Sequence, residues 1–189
     1  KSAAQGHAEA QFNLGLMYMK GDGVPKDGAK AFEWWQKSAA QGHAEAQFNL
    51  GLMYQNGDGV PKDEAKTVEW WQKSAAQGHA EAQYSIGWMY AHGSGVPKDE
   101  AKAVEWYQKS VEQRNAKAQF SLGVMYANGS GVPKDDVQAY AWVNLAAANN
   151  ISEAIKTREI LEKRMTLEQK AEAQKLSREL FQKIKKPQK

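Results

Sequence analysis

The sequence predicts an all-α solenoid built from stacked pairs of helices. Three observations predict it. The string GVPKD begins at Gly23, Gly59, Gly95 and Gly131, a period of 36 residues, and self-similarity at a fixed period of this size marks stacked supersecondary units. Each period holds two stretches with apolar residues at helical spacing. Between them stand Gly, Pro and Asp in the same order, the punctuation that ends one helix and starts the next.

The units are cut as 8–43, 44–79, 80–115 and 116–151. The first two differ at 5 of 36 positions, 19/55, 20/56, 28/64, 31/67 and 32/68, as expected of recent duplication or consensus design. The fourth drifts most in its second half. The opening KSAAQGH (1–7) recurs at 37–43 and 73–79, so it reads as the end of a truncated upstream unit. Residues 152–189 are expected to form C-terminal capping helices.

In unit two the first helix, A, is expected over Ala44–Asn56, with Ala46, Leu50, Met53 and Tyr54 in phase. Gly57, Gly59 and Pro61 end it. Asp63 then stands where an N-cap is needed, and helix B runs from Glu64 to about Gln77. Gly78 lies just past its end, as a left-handed C-terminal position prefers. The same punctuation recurs at Asp27, Asp99, Asp135 and Gly42. In unit three Arg114 replaces the Gly, so that turn is expected to differ or to be strained.

Gly15, Gly51, Gly87 and Gly123 sit in the middle of the A helices, where Gly costs about 1 kcal/mol relative to Ala. Close approach of helix B to the Gly backbone is the simplest reason. Leu14, Leu50, Ile86 and Leu122, with Tyr18, Tyr54, Tyr90 and Tyr126, are expected to wedge between helices. Ala39, Ala75 and Ala146 let the B helices pack closely. After a helix near 152–164, Thr166 and Gln169 form a capping-box pattern. It opens an amphipathic helix over 167–185 with Leu167, Ala171, Leu176, Leu180 and Ile184 as its apolar positions. The terminal KKPQK is expected to fray.

Ala46, Leu50, Gly51, Tyr54, Gly57, Gly59, Val60, Asp63, Lys66, Trp70, Trp71, Ala75, Ala76 and Gly78 recur in phase. This pattern resembles the Sel1-like repeat, an α/α repeat related to the tetratricopeptide repeat. The likeness covers 1–151, and the ending AYAWVNLAAA…MTLEQKAEAQKL resembles the closing segment of bacterial members. The resemblance implies a right-handed superhelix whose A helices line a concave face, serving as an adaptor for a protein or peptide partner. It also favours a periplasmic or secreted location.

On that implication the groove falls by phase on Glu9, Phe12, Leu16, Met19 and Lys20 in unit one and on Glu45, Phe48, Leu52, Gln55 and Asn56 in unit two. Unit three gives Glu81, Tyr84, Trp88, Ala91 and His92, and unit four gives Lys117, Phe120, Val124, Ala127 and Asn128. The candidate partner-binding residues are Phe12, Phe48, Leu52, Asn56, Tyr84, Trp88, His92, Phe120, Val124 and Asn128. Phe12, Phe48, Tyr84 and Phe120 form a row that serves either as packing or as ligand contact. Trp88 stands out because it breaks the pattern of Leu16 and Leu52. Buried aromatic anchors of this kind dominate interface energies, at roughly 2 kcal/mol or more each.

Other constellations carry less. In the pairs Trp34–Trp35, Trp70–Trp71 and Trp106–Tyr107, neighbours point about 100° apart, so one of each is core and the other half-exposed. His7, His43 and His79 recur at the inter-unit turn, about one helix diameter, roughly 10 Å, apart. That is too far for zinc, whose ligand atoms sit at about 2 Å, so they read as solvated turn residues. The GDGVPKD loops lack calcium-loop spacing. No nucleophile–base pair, HExxH or phosphate-cradling loop is present, so no enzyme, metal or cofactor is expected.

With zero Cys, disulfides are excluded. This separates the chain from disulfide-rich family members for which penicillin binding has been proposed. Binding or hydrolysis of a β-lactam or cell-wall fragment is therefore an alternative resting on family analogy alone. From Lys163 onward nine basic residues face three acidic ones, whereas 1–162 holds sixteen against nineteen. Neither half has the single-sign field of a nucleic-acid binder. No run approaches the 18 or so apolar residues of a membrane span. A monomer is expected, with association possible through the N-terminal face around Phe12 and Leu16.

Overall fold

The computed structural model describes residues 6–185. The reading of 1–7 as the end of an upstream unit therefore rests, within the described residues, on Gly6 and His7 alone. The fraying expected of KKPQK falls, apart from Lys185, outside them. Among the described residues there are ten helices and no strand. They are α1 (Ala8–Lys20), α2 (Gly28–Ala40), α3 (Ala44–Asn56), α4 (Glu64–Ala76), α5 (Ala80–His92), α6 (Glu100–Glu112), α7 (Ala116–Asn128), α8 (Asp136–Ala147), α9 (Ser152–Arg164) and α10 (Leu167–Lys185). The residues group into two compact units. One runs to Met89 and includes Gly93–Pro97, and the other takes Tyr90–His92 and everything from Lys98.

Local chemistry sets the helix ends. In each A helix a left-handed glycine stops the helix; the N–H of Gly57 (φ 81°) donates to the Met53 carbonyl. The loop then returns, and the Asp63 N–H donates to the Tyr54 carbonyl at 3.0 Å. The Asp63 carboxylate in turn accepts from the Lys66 N–H at 3.0 Å. Asp27 and Asp99 cap their helices the same way, and Asp135 accepts from both Val137 and Gln138. An N-cap of this type stabilises a helix by about 1 kcal/mol. Those backbone bonds hold the carboxyls of Asp27, Asp63 and Asp99 below the usual range.

Gly15, Gly51 and Gly123 are notches. A Cβ on Gly15 or Gly51 would run into the indole of Trp35 or Trp71, and one on Gly123 would meet Val143 Cγ2 at 2.6 Å. The Trp sits in the notch and uses its polar handle there. Trp35 Nε1 donates to the Phe12 carbonyl and Trp71 Nε1 to the Phe48 carbonyl, each at 3.1 Å. Trp35, Trp71 and Tyr107 are core, while Trp34, Trp70 and Trp106 are half-buried beneath the ammonium groups of Lys37, Lys73 and Lys109.

A polar ladder that the sequence reading did not identify runs beside this core. Ser38 Oγ donates to the Ala8 carbonyl and Ser74 Oγ to the Ala44 carbonyl at 2.7 Å, and the amides of Gln41 and Gln77 donate to Gln11 and Gln47 at 2.7 Å. In unit four the ladder breaks. The residue in register with Gln41 is Asn149, whose shorter amide bonds the Leu145 carbonyl at 2.9 Å, and the buried Gln119 Oε1 has no hydrogen-bond partner.

Arg114 does not change its turn. It takes the glycine's left-handed conformation (φ 67°), and its N–H bonds the Val111 carbonyl at 2.9 Å as Gly78 bonds Ala75 at 3.0 Å. The expected strain is carried by the backbone of Arg114 itself. Asn150 (φ 61°) closes unit four in the same way.

α9 has the contacts of a further A helix. The first core cluster contains Phe12, Trp35, Ala39, Ala46, Leu50 and Met53. Three repeat steps later in register lie Phe120, Val143, Ala147, Ala154 and Leu161, which share one cluster, with Arg158 at the Leu50 position. The edge contact of Phe32 with Tyr54, 5.6 Å between ring centroids, is replaced in register by a hydrogen bond from Tyr140 to Glu162 at 2.9 Å. Arg158 donates to Asn144 Oδ1, and Asn144 donates to Ser177 Oγ on α10. Burial foremost, with the Glu162 bond, pushes the Tyr140 phenol up.

α10 opens on the reciprocal capping box, Thr166 N–H to Gln169 Oε1 and Gln169 N–H to Thr166 Oγ1. It packs on α8, but its phase differs from the expected one. Ala173 and Ser177 are buried and Leu176, Leu180 and Ile184 half-buried, whereas Leu167 is 85% exposed and Ala171 is exposed. The small residues face α8 because its Tyr140 and Asn144 already fill the space there.

Candidate partner-binding surface

Consecutive A helices leave hollows between them, floored by the aromatic of the intervening B helix. The first, about 210 Å³, is walled by Leu52 and Gln55 of α3 and by Tyr84, Ser85 and Trp88 of α5, over Trp71. The second, about 270 Å³, has Ala91 and His92 on one side and Phe120, Ser121, Val124 and Asn128 of α7 on the other, over Tyr107. Glu100, Met125 and Ser130 complete it. Advanced by 36, five of the six residues of the first set fall on lining residues of the second, Ala91, Tyr107, Phe120, Ser121 and Val124, so both are the same site of the repeat.

The structure brings Leu52, Tyr84 and Trp88 to one hollow and His92, Phe120, Val124 and Asn128 to the other. Three candidates stand apart. Phe12 is 7% exposed, stacked between Trp35 and His43. Phe48 is half-buried and stacks on Trp71 and on His79, at 5.9 and 4.9 Å between centroids. In these two the aromatic row is packing, because the histidine that caps the next A helix covers the ring. Asn56 lies at its helix end and donates to Asp58 Oδ2 at 3.2 Å. Trp88, by contrast, is 37% exposed on the wall of an apolar hollow.

His7 is exposed at the N-cap of α1 and makes no side-chain cap bond there, but His43 and His79 are not solvated turn residues. His43 and His79 are the N-caps of α3 and α5, and the Nδ1 of each accepts the backbone N–H of Ala46 or Ala82 at 3.2 Å. Because Nδ1 accepts, the proton sits on Nε2, and in His43 it is given to Glu9 Oε2 at 2.9 Å. That bond holds the Glu9 carboxyl below its ordinary value. Burial pushes His79 down, against the opposing pull of Glu81 and Glu45. Asn115 fills the same place before α7 with its Oδ1. The substitution of an ordinary N-cap residue for His at Asn115 was the signal in the sequence that these positions cap.

The Sel1 repeat model matches residues 8–43, 44–79, 80–115 and 116–151. The chain belongs to the Sel1 repeat family. This Sel1 array is similar to the crystal structure of a Sel1 repeat protein from Oxalobacter formigenes, at 38% identity and a TM-score of 0.76, over 80% of this chain and 62% of that one. It is also similar to a protective antigen of uropathogenic Escherichia coli strains that displays an SLR fold. The identity there is 33% and the TM-score 0.66, over 100% of this chain and 50% of the antigen. The chain thus spans between half and two thirds of the length of these two relatives. The fold alone is shared with Helicobacter pylori cysteine rich protein B, at 23% identity and a TM-score of 0.52, over 62% of this chain and 90% of that one. Comparison with curated proteins returns no match.

Sel1 repeat proteins are generally protein-interaction scaffolds, and the fold is typically non-enzymatic. Among the described residues of this Sel1 array, no helix is long and apolar enough to cross a membrane, and no three His, Asp or Glu side chains gather where they would hold a metal ion.

Proposed function

We propose that this Sel1 array is a non-enzymatic scaffold that holds a protein or peptide partner against its A helices, with the two hollows receiving apolar side chains. The observation that carries the reading is Trp88, a large aromatic that departs from the Leu of the preceding units and stands exposed beside Tyr84 over an apolar hollow. Aromatic anchors in such pockets supply much of the energy of protein interfaces. Leu52 and Gln55 give the hollow an apolar wall and an amide at its edge, which suits a side chain presented from an extended backbone.

Crosslinked capture from lysate and envelope fractions tests it, comparing wild type with the Tyr84→Ala/Trp88→Ala variant. The variant is expected to keep its helical circular dichroism and lose partner capture by about tenfold or more. Equal capture by both proteins would place the contact elsewhere on the array.

A further inference from the structure

We propose that α9 adds one more interval to the partner-facing surface, beyond the four repeats, and that this interval takes an acidic peptide segment bearing an apolar side chain. The inference rests on the reading of the A helices as partner-facing. Its own ground is the placement of α9. The turn before it repeats the inter-unit turn bond for bond: Asn149 N–H to Ala146, Asn150 to Ala147 and Ile151 to Ala146 match Gln41 to Ser38, Gly42 to Ala39 and His43 to Ser38. Ala154 and Leu161 then fill the core positions of Ala46 and Met53.

In that register the position held by Leu52, Trp88 and Val124 passes to Ile160, and the position of Phe48, Tyr84 and Phe120 passes to Lys156. Ile160 is 60% exposed. A helix that only closes an array is expected to turn a polar face outward, so a branched aliphatic here is out of keeping with that role alone. It does fit a further occupant of the position whose predecessors wall the hollows.

The charge of the interval is basic. Glu9 is held by His43 at the next N-cap. In the last unit the corresponding positions hold Lys117, which is exposed, and Ile151, so a lysine stands in place of the acidic group and an isoleucine in place of the histidine. Lys156 and Lys163 are exposed on α9. The acidic groups nearby are engaged or displaced. Glu153 accepts from Ser152 Oγ at 2.9 Å and is turned back on its own helix end. Asp136 is bonded to Arg164. Glu159 sits at the register position of the notch glycines, a step of about 100° around the helix from Ile160. Three lysines and an exposed isoleucine in this interval complement carboxylates flanking an aliphatic side chain, and charge complementarity of this kind sets specificity and on-rate.

The test uses the full chain and two synthetic peptides, one of repeated Gly-Asp-Leu-Glu and one of repeated Gly-Lys-Leu-Lys, at low salt. The Ile160 methyl resonance, assigned with Ile160→Val, is followed together with affinity. The acidic peptide is expected to shift that methyl and to bind about tenfold more weakly to Lys156→Glu/Lys163→Glu. Preference for the basic peptide, an unmoved Ile160 methyl, no binding of the acidic peptide, or an unchanged affinity in the charge-reversal variant would each overturn the proposal. Trp88→Ala separates the two readings. Loss of acidic-peptide binding in that variant but not in the charge reversal leaves the hollows standing and removes α9. Loss in the charge reversal but not in Trp88→Ala does the opposite.

Discussion

His79 caps α5 with an unprotonated ring nitrogen, so a single proton competes with the helix for the same lone pair. Burial lowers its pKa below the ordinary value of 6.5. The unfolded chain therefore takes up the proton at a higher pH than the folded one does. The stability this residue contributes is present in full above pH 6.5 and is lost as the pH falls through the lower, folded value. Asn115 makes the same backbone bond without titrating in this range. His79→Asn is thus expected to fold and to show a flatter decline of urea midpoint between neutral pH and about pH 5. An equally steep decline in the variant would show that the cap is not what titrates. The Asp caps were legible in the sequence because Asp is among the best N-cap residues. The His caps were not, because imidazole is a rare cap and its recurrence at a turn reads equally well as a solvated position.

At the scale of elements, the repeat made most of the fold legible. The 13 residues of α3 are the ones the periodicity marks, and Gly15, Gly51 and Gly123 meet helix B as their cost required. The size of the notch can be measured. Gly51→Ala gains helix propensity of about 1 kcal/mol, but its methyl meets the Trp71 ring, which is wedged against Phe48 and bonded to its carbonyl. Overpacking typically costs roughly 1–3 kcal/mol, so a net loss of up to about 2 kcal/mol in urea unfolding is expected. A stabilised variant would mean that the indole can withdraw without loss. What escaped the periodicity lay where the repeat ends. α10 has apolar residues on more than one face, and the phase that packs is chosen by the side chains of α8, which no pattern within α10 records. The site divided similarly. Trp88 was visible as a departure from the pattern, but the burial of Phe12 beneath His43 depends on the neighbouring unit's cap.

At the scale of the whole chain, the question is what stops the array. α9 enters as another A helix but carries Arg158, Glu159 and Glu162 where unit two has Leu50, Gly51 and Tyr54. Without the notch glycine it cannot admit a B helix closely, and without Leu and Tyr it has no apolar ridge to offer one. α10 instead lies on α8. Its Ala173 joins the buried cluster of Ala139, Tyr140, Val143 and Ala146, and its Ser177 satisfies Asn144. We propose on this view that α9 and α10 cap the array. Ending the chain after Met165 tests it. Removing Ala173, Leu176 and Leu180 from contact returns their apolar surface and that of α8 to water, a loss on the order of 3 kcal/mol. It also leaves Asn144 and Tyr140 facing solvent beside an apolar patch, the kind of surface that associates. The truncated chain is expected to unfold at lower urea and to sediment as a concentration-dependent oligomer. A monomer with an unchanged midpoint would show that α8 is closed by α9 alone and that α10 is held for some other purpose.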